Sequence, residues 1–176
     1  MSDALKGLYF FTRFAYSFSA LGYRQQRLFW KDQRTDFRDQ RWLVTGASGG
    51  IGRAITQGAA LHGADVLAAA RSAEKLSQLI DDTGENVTSL QVDLSLTQEI
   101  DRLLDELAVS GSGAKIDVLV NNVGVLLNRH QLSDDGLELS FATNLLNHYR
   151  LTEGLIERDL LADDAVIINM SSGGMY

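Results

Sequence analysis

The chain has 176 residues, 45% of them hydrophobic, and a formal net charge of −7. That length holds one domain or less, with an ordinary globular core. Without cysteine there is no disulfide framework and no thiol chemistry, and the acidic balance argues against general nucleic-acid binding.

The first 42 residues differ from the rest. They hold 11 of the 14 aromatics and carry 8 basic against 4 acidic residues, a net +4; residues 43–176 carry 8 basic and 19 acidic, a net −11. Over residues 4–21, Lys6, Arg13 and Ser17 fall on one narrow helical face, while Leu5, Leu8, Tyr9, Phe11, Phe14 and Phe18 cover most of the remainder. Two readings stay open for this arm, taken as residues 1–40. One is an interfacial helix that contacts anionic membrane through residues 1–30; the other is packing over the sheet or a partner subunit. A membrane span is disfavoured, because the apolar run is broken by Arg13 and falls short of the ~20 residues a span needs.

Trp42-Leu43-Val44 reads as a strand. It is followed by Thr45-Gly46-Ala47-Ser48-Gly49-Gly50-Ile51-Gly52 and a helix-like segment over 53–61. A glycine-rich turn between strand and helix is a phosphate cradle. Gly46 allows the tight turn, Gly50 lets a pyrophosphate approach the backbone, and Gly52 lets the helix pack closely on the strand. Thr45, Ser48, Gly49 and Ile51 complete the loop, and the free N–H groups of the helix start face the anion. Residues 65–70 read as a second buried strand. Its end falls 18 positions past Gly52 (70 − 52), where a dinucleotide site reads the adenosine ribose. An acid there would favour NAD. This chain has Ala70 and then Arg71, whose fork can pair with a 2′-phosphate; this favours NADP, with NAD as the alternative.

Further strands read over 87–92, ending in Asp93-Leu94-Ser95; over 116–120, ending in Asn121-Asn122-Val123-Gly124; and over 165–170, ending in Ser171-Ser172-Gly173-Gly174. Helical patterns cover 72–80, 97–109 and 136–161, with Ser133 or Asp134 placed to cap the last. Each strand is an apolar run with little alternation, as expected when both sheet faces are covered. Alternating β and α elements predict an α/β fold, a Rossmann-type doubly wound parallel sheet with five strands over residues 41–176. In such sheets ligands bind outside the carboxyl ends of the strands, which is where all five motifs fall.

Over about residues 40–176 these motifs resemble the classical short-chain dehydrogenases/reductases, and more loosely their retinol-dehydrogenase-like branch. The resemblance implies that Thr45-Gly46-x3-Gly50-x-Gly52 is the cofactor loop and that Asp93, with Leu94, meets the adenine. It implies that Asn121, Asn122 and Gly124 belong to the Asn-Asn-Ala-Gly signature, with Val123 in place of Ala. Asn144 matches the residue that anchors a proton-relay water, and Ser172 the residue that polarises the substrate carbonyl, with Ser171 as its rival. The implied chemistry is hydride transfer to or from a carbonyl or alcohol of a small, lipophilic substrate by a homo-oligomeric, cytoplasmic or membrane-associated enzyme. The family's proton donor is a Tyr about a dozen residues past the Ser, with a Lys four further on. Tyr176 is too close to Ser172, and no Tyr-x3-Lys occurs in the 176 residues. The chain is therefore read as an N-terminal fragment that binds at least part of the cofactor and does not transfer hydride. A non-catalytic NADP-binding module and an extended-type nucleotide-sugar epimerase or dehydratase are the alternatives.

Other chemistries have less in their favour. No Gly-x-Ser-x-Gly elbow is present. His62, His130 and His148 are isolated and read as surface or packing residues. The acid pairs Asp81-Asp82, Asp134-Asp135 and Asp163-Asp164 read as solvated turns and helix starts, and no metal site is expected.

Overall fold

The computed structural model describes residues 5, 9, 11, 12, 19–29, 36–109 and 114–171. The chain divides into two compact units, residues 1–35 and 36–176. In the first, helix α1 (Ala20–Arg27) begins at Ser19, whose side chain accepts from Gly22 N at 3.2 Å.

In the second unit the elements run β1 (Arg41–Thr45), α2 (Gly50–Leu61), β2 (Asp65–Ala70), α3 (Ala73–Thr83), β3 (Val87–Gln91), α4 (Thr97–Val109) and β4 (Ile116–Asn121). There follow α5 (Leu139–Phe141), a π-helix (Ala142–Leu146), α6 (Asn147–Glu157) and β5 (Leu161–Asn169). The strands form one parallel sheet in the order β3-β2-β1-β4-β5. From β1 the chain winds outward through β2 and β3. It then crosses to the other side of β1 for β4 and β5. The reversal falls between β1 and β4, the switch point at which ligands bind in doubly wound sheets.

Successive strand residues point to opposite faces, and the core divides accordingly. Leu43, Leu67, Ala69 and Leu119 pack with Ile100, Leu103 and Leu104 of α4 and with Leu151 and Leu155 of α6. Val44, Val66, Ala68, Val118 and Val120 pack with Ala59 and Ala60 of α2 and with Leu76 and Leu79 of α3. Phe37 and Trp42, counted in sequence among the aromatic-rich first 42 residues, lie against this second cluster with ring centroids 5.1 Å apart.

Several boundaries differ from the sequence expectation. Helix α2 starts at Gly50 rather than residue 53, so the end of the glycine loop is already the first helical turn. The expected helix over 136–161 starts at Leu139, widens into the π-helix and stops at Glu157, where Asp159 takes φ 56°. Its cap is neither Ser133 nor Asp134. Glu138 accepts from Ser140 N and Phe141 N, while Ser133 Oγ accepts from Leu137 N within the preceding turn. Strand β5 starts at Leu161 instead of residue 165. Its register to β4 shifts between Ile116 and Val118, so the acids Asp163 and Asp164 fall in an irregular stretch that does not look like a strand in sequence. Among the described residues β5 is an edge strand, and Val166, Ile167 and Ile168 are exposed.

Candidate cofactor and active site

Gly46 takes φ 65°, and a Cβ there would lie 2.9 Å from Asn122 Nδ2 and 3.2 Å from Val123 Cα. A Cβ on Gly52 would run into the Gly46 carbonyl and the Asn122 amide. Gly50 takes φ 52°, with no protein atom within 4 Å of its would-be Cβ. Two of the three glycines therefore permit close packing, and the third faces open space. The helix cap, Gly49, makes no side-chain hydrogen bond, so no side chain there competes for the first amides of α2. An open, positively polarised cradle of this kind fits a phosphate.

The loop is tied across the switch point. Thr45 Oγ1 donates to the Val120 carbonyl at 3.1 Å and accepts from Asn122 N at 2.8 Å and Val123 N at 3.1 Å. Asn122 Nδ2 donates to the Thr45 carbonyl at 2.9 Å. Asn121 is fully buried; its Nδ2 reaches Thr152 Oγ1 at 3.1 Å and Asn169 Oδ1 at 2.9 Å. These bonds fix the ends of β1, β4 and β5 against α6.

A cleft of about 230 Å³ opens at these strand ends. Gly46, Ser48, Gly49, Arg71 and Leu94, all singled out in sequence, line it together with Ser72, Lys75 and Val123. Asp93 sits at its edge, 3.9 Å from Arg71, with Oδ1 accepting from Ser95 N at 2.9 Å and Ser95 Oγ at 2.7 Å. Ile51 is exposed on the first turn of α2. Asn144, on the π-helix, accepts from Val125 N and donates to the Val125 carbonyl, both at 2.8 Å, with Gly124 beside it. Ser172 lies outside the described residues. Ser171 is described and exposed, just past Met170, whose N–H bonds the Asn121 carbonyl at 2.9 Å.

Two residues near the site were missed in sequence, and a third, His148, was read there only as a surface or packing residue. Lys75 reaches the cleft from the first turn of α3, which Ser72 caps; the only sequence signal was its place three residues after that cap. His148 contacts the Val123 backbone, and burial holds its imidazole below the ordinary range. Asn147 is 1% exposed, with Nδ2 donating to the Leu94 carbonyl at 2.9 Å.

A larger groove of about 370 Å³ lies at the opposite ends of the strands. Several of its charges are already paired. Arg41 pairs with Asp65 at 2.7 Å, and Asp117 accepts from Arg41 N at 2.7 Å. The glycine cradle, not this groove, has the open helix start that fits an anion. Among the described residues no cluster of three or more His, Asp or Glu could hold a metal, and no helix is long and apolar enough to cross a membrane.

The family described as short chain dehydrogenase matches residues 40–175. Dehydrogenase/reductase SDR family member 12 of Bos taurus is 34% identical, over 76% of this chain and 43% of its own length. Human retinol dehydrogenase 13 is 31% identical over 74% and 40%, and the NADP-dependent 3-hydroxy acid dehydrogenase YdfG of Shigella flexneri 32% over 74% and 53%. The chain thus spans about half the length of these relatives, or less. A short-chain dehydrogenase/reductase structure from Brucella melitensis, described as glucose/ribitol dehydrogenase, shares the fold with a TM-score of 0.69 at 24% identity, covering 81% of this chain and 60% of that one. The cradle, the strand order and the matched stretch all fall on the same residues, and the chain belongs to the short-chain dehydrogenases, a family of NAD(P)-binding oxidoreductases.

Proposed function

We propose that this chain is the cofactor-binding part of an NADP(H)-dependent oxidoreductase acting on a carbonyl or alcohol of a lipophilic small molecule. The observation that carries the cofactor preference is the lining of the cleft at the end of β2. Arg71 and Lys75 stand there with Ser72; among the described residues no acid lines the cleft, and Asp93 stands at its edge. Two cations beside a hydroxyl favour a 2′-phosphate over a bare ribose hydroxyl.

The bound nicotinamide supplies or accepts the hydride. In this reading the amides of the α2 start and Ser48 hold the pyrophosphate, and the Asp93 carboxylate accepts from the adenine amino group. Ser172 donates a hydrogen bond to the substrate oxygen. Both polar ends of the Asn144 side chain engage Val125, so its part in a proton relay is exercised through the turn it fixes. The Tyr and Lys of the family's acid/base pair are not among these 176 residues. The chain alone therefore binds cofactor without turnover.

Leu126 is 95% exposed and Leu132 also lies open on the segment after β4, an apolar wall suited to a lipophilic substrate; one relative is by name a retinol dehydrogenase. Phe141, Leu145 and Tyr149, exposed along the π-helix and its flanks, fit a homo-oligomeric parent. Peripheral membrane contact through residues 1–30 is supported by the net +4 of residues 1–42 and by the open Leu28 and Phe29.

Fluorescence titration with NADPH and NADH tests the cofactor assignment. Arg71→Ala is expected to weaken NADPH at least about tenfold, the worth of one charge-assisted contact, and to leave NADH within about twofold. Equal losses for both would remove Arg71 from the 2′-phosphate.

A further inference from the structure

The loop over residues 93–97 forms the side of the cleft beside Arg71, and among the contacts that hold it three bear on its position. The first is internal, from Ser95 to Asp93. The second is the bond from Asn147 Nδ2 to the Leu94 carbonyl at 2.9 Å. The third is Asp135 Oδ2, which accepts from Thr97 N at 3.1 Å. The last two come from the segment that also carries Asn144, the residue bound at both polar ends to Val125.

In an α-helix, residues three apart are neighbours on one face. Here the turn is the wider π form, and Asn144 and Asn147 engage different loops, one after β4 and one after β3. The placement is expensive. Asn147 is almost wholly buried, and its Oδ1 has no hydrogen-bond partner among the described residues. A buried amide left half satisfied costs stability that an apolar side chain of similar volume would not. What the amide uniquely supplies is a directed hold on Leu94, whose own side chain is buried while the residue lines the cleft.

We propose that Asn147 and Asp135 are positioning residues for the adenine side of the cofactor cleft, acting through Leu94 and Thr97. One segment, 135–147, thereby sets both loops that bracket the dinucleotide. The inference rests on reading the cleft as the dinucleotide site with Asp93 at the adenine. It differs from a purely packing role for this segment in predicting base discrimination, not merely stability.

The test compares NADPH with its hypoxanthine analogue, which carries a carbonyl in place of the adenine amino group, by calorimetric titration of the full chain. The native chain is expected to prefer the adenine form about tenfold, the worth of one hydrogen bond to a charged acceptor. In Asn147→Ala, and in Asp135→Ala on its exposed turn, the preference is expected to fall to about threefold or less. Leu79→Ala, a core truncation in the other cluster, should lower the melting temperature and keep the tenfold ratio. Should Asn147→Ala fail to fold, Asp135→Ala reads the same loop in a folded protein. An unchanged ratio in Asp135→Ala and in any folded Asn147→Ala overturns the positioning role, as does a native chain that binds both forms equally. A native chain that binds neither form sinks the dinucleotide reading itself, and this inference with it.

Discussion

His148 packs beneath the Val123 turn. Burial pushes its imidazole pKa down, and a hydrogen bond with the Val123 backbone only partly offsets this. The unfolded chain takes up this proton near pH 6.5; the folded chain does so only at lower pH. The stability associated with neutral His148 is thus complete above about pH 6.5 and is lost as the pH falls toward the depressed folded value. Glu138 acts in a lower window. Its carboxylate is held below the usual range by the N–H groups of Phe141 and Ser140, so its contribution persists until the pH falls through that lowered value. His148→Phe is therefore expected to flatten the fall in melting temperature between pH 7 and pH 5, leaving the loss at lower pH that belongs to Glu138 in place. A thermal-denaturation series across pH checks this; an unaltered slope from pH 7 to 5 would show that His148 does not titrate with unfolding.

Among the elements, β1, α2 and β4 meet at Gly52. A methyl group there would strike the Gly46 carbonyl and the Asn122 amide, both held by the bonds that join β1 to β4. Gly52→Ala is expected to cost about 1–3 kcal/mol, the usual range for overpacking, and to abolish nucleotide binding. Gly50→Ala meets no neighbour but must adopt a left-handed backbone, and should be milder. Urea unfolding of the two variants measures the difference; equal losses would mean that backbone conformation, not contact, sets the cost. The same elements show what was legible in sequence. The central strands announce themselves because both faces are buried and their residues form unbroken apolar runs, such as Val66-Leu67-Ala68-Ala69-Ala70. The glycine loop is legible because each glycine has a local geometric task. Strand β5 was misplaced at its start because Asp163 and Asp164 sit in a register shift. The π-helix leaves no periodic signal over five residues, and its Glu138 cap is a long side chain doing work usually done by short ones. Lys75 and Asn147 were missed for a different reason: their partners lie across the fold, where spacing along the chain carries no information.

For the whole molecule, the uneven charge is the feature that extends beyond the site. The basic first 42 residues are joined to a remainder of net −11, so an anionic surface attracts one end of the chain and repels the other. If the arm contacts membrane, the full chain should sediment with anionic vesicles at low salt and be released as salt is raised, since charge screening shortens the attraction. Arg24→Glu with Arg27→Glu, two changes at the end of α1, should reduce sedimentation several-fold and leave NADPH affinity unchanged. Native chain that stays in the supernatant at low salt would leave packing as the role of the arm. Strand β5 bears on handling of the protein: its edge, open among the described residues and carrying Val166, Ile167 and Ile168, is the kind of surface that promotes strand-to-strand association at high concentration.

The bond between Asn122 and the glycine loop also orders events in time. The cradle spans only residues 45–52, yet its shape is held by a partner more than 70 positions later in the chain. During synthesis the loop leaves the ribosome long before β4 does, and contacts so distant in sequence form only after the intervening chain has been made. On the proposed function, nucleotide capture by the nascent chain waits until β4 has docked beside β1. The onset of binding during translation marks the moment at which the two halves of the sheet first meet.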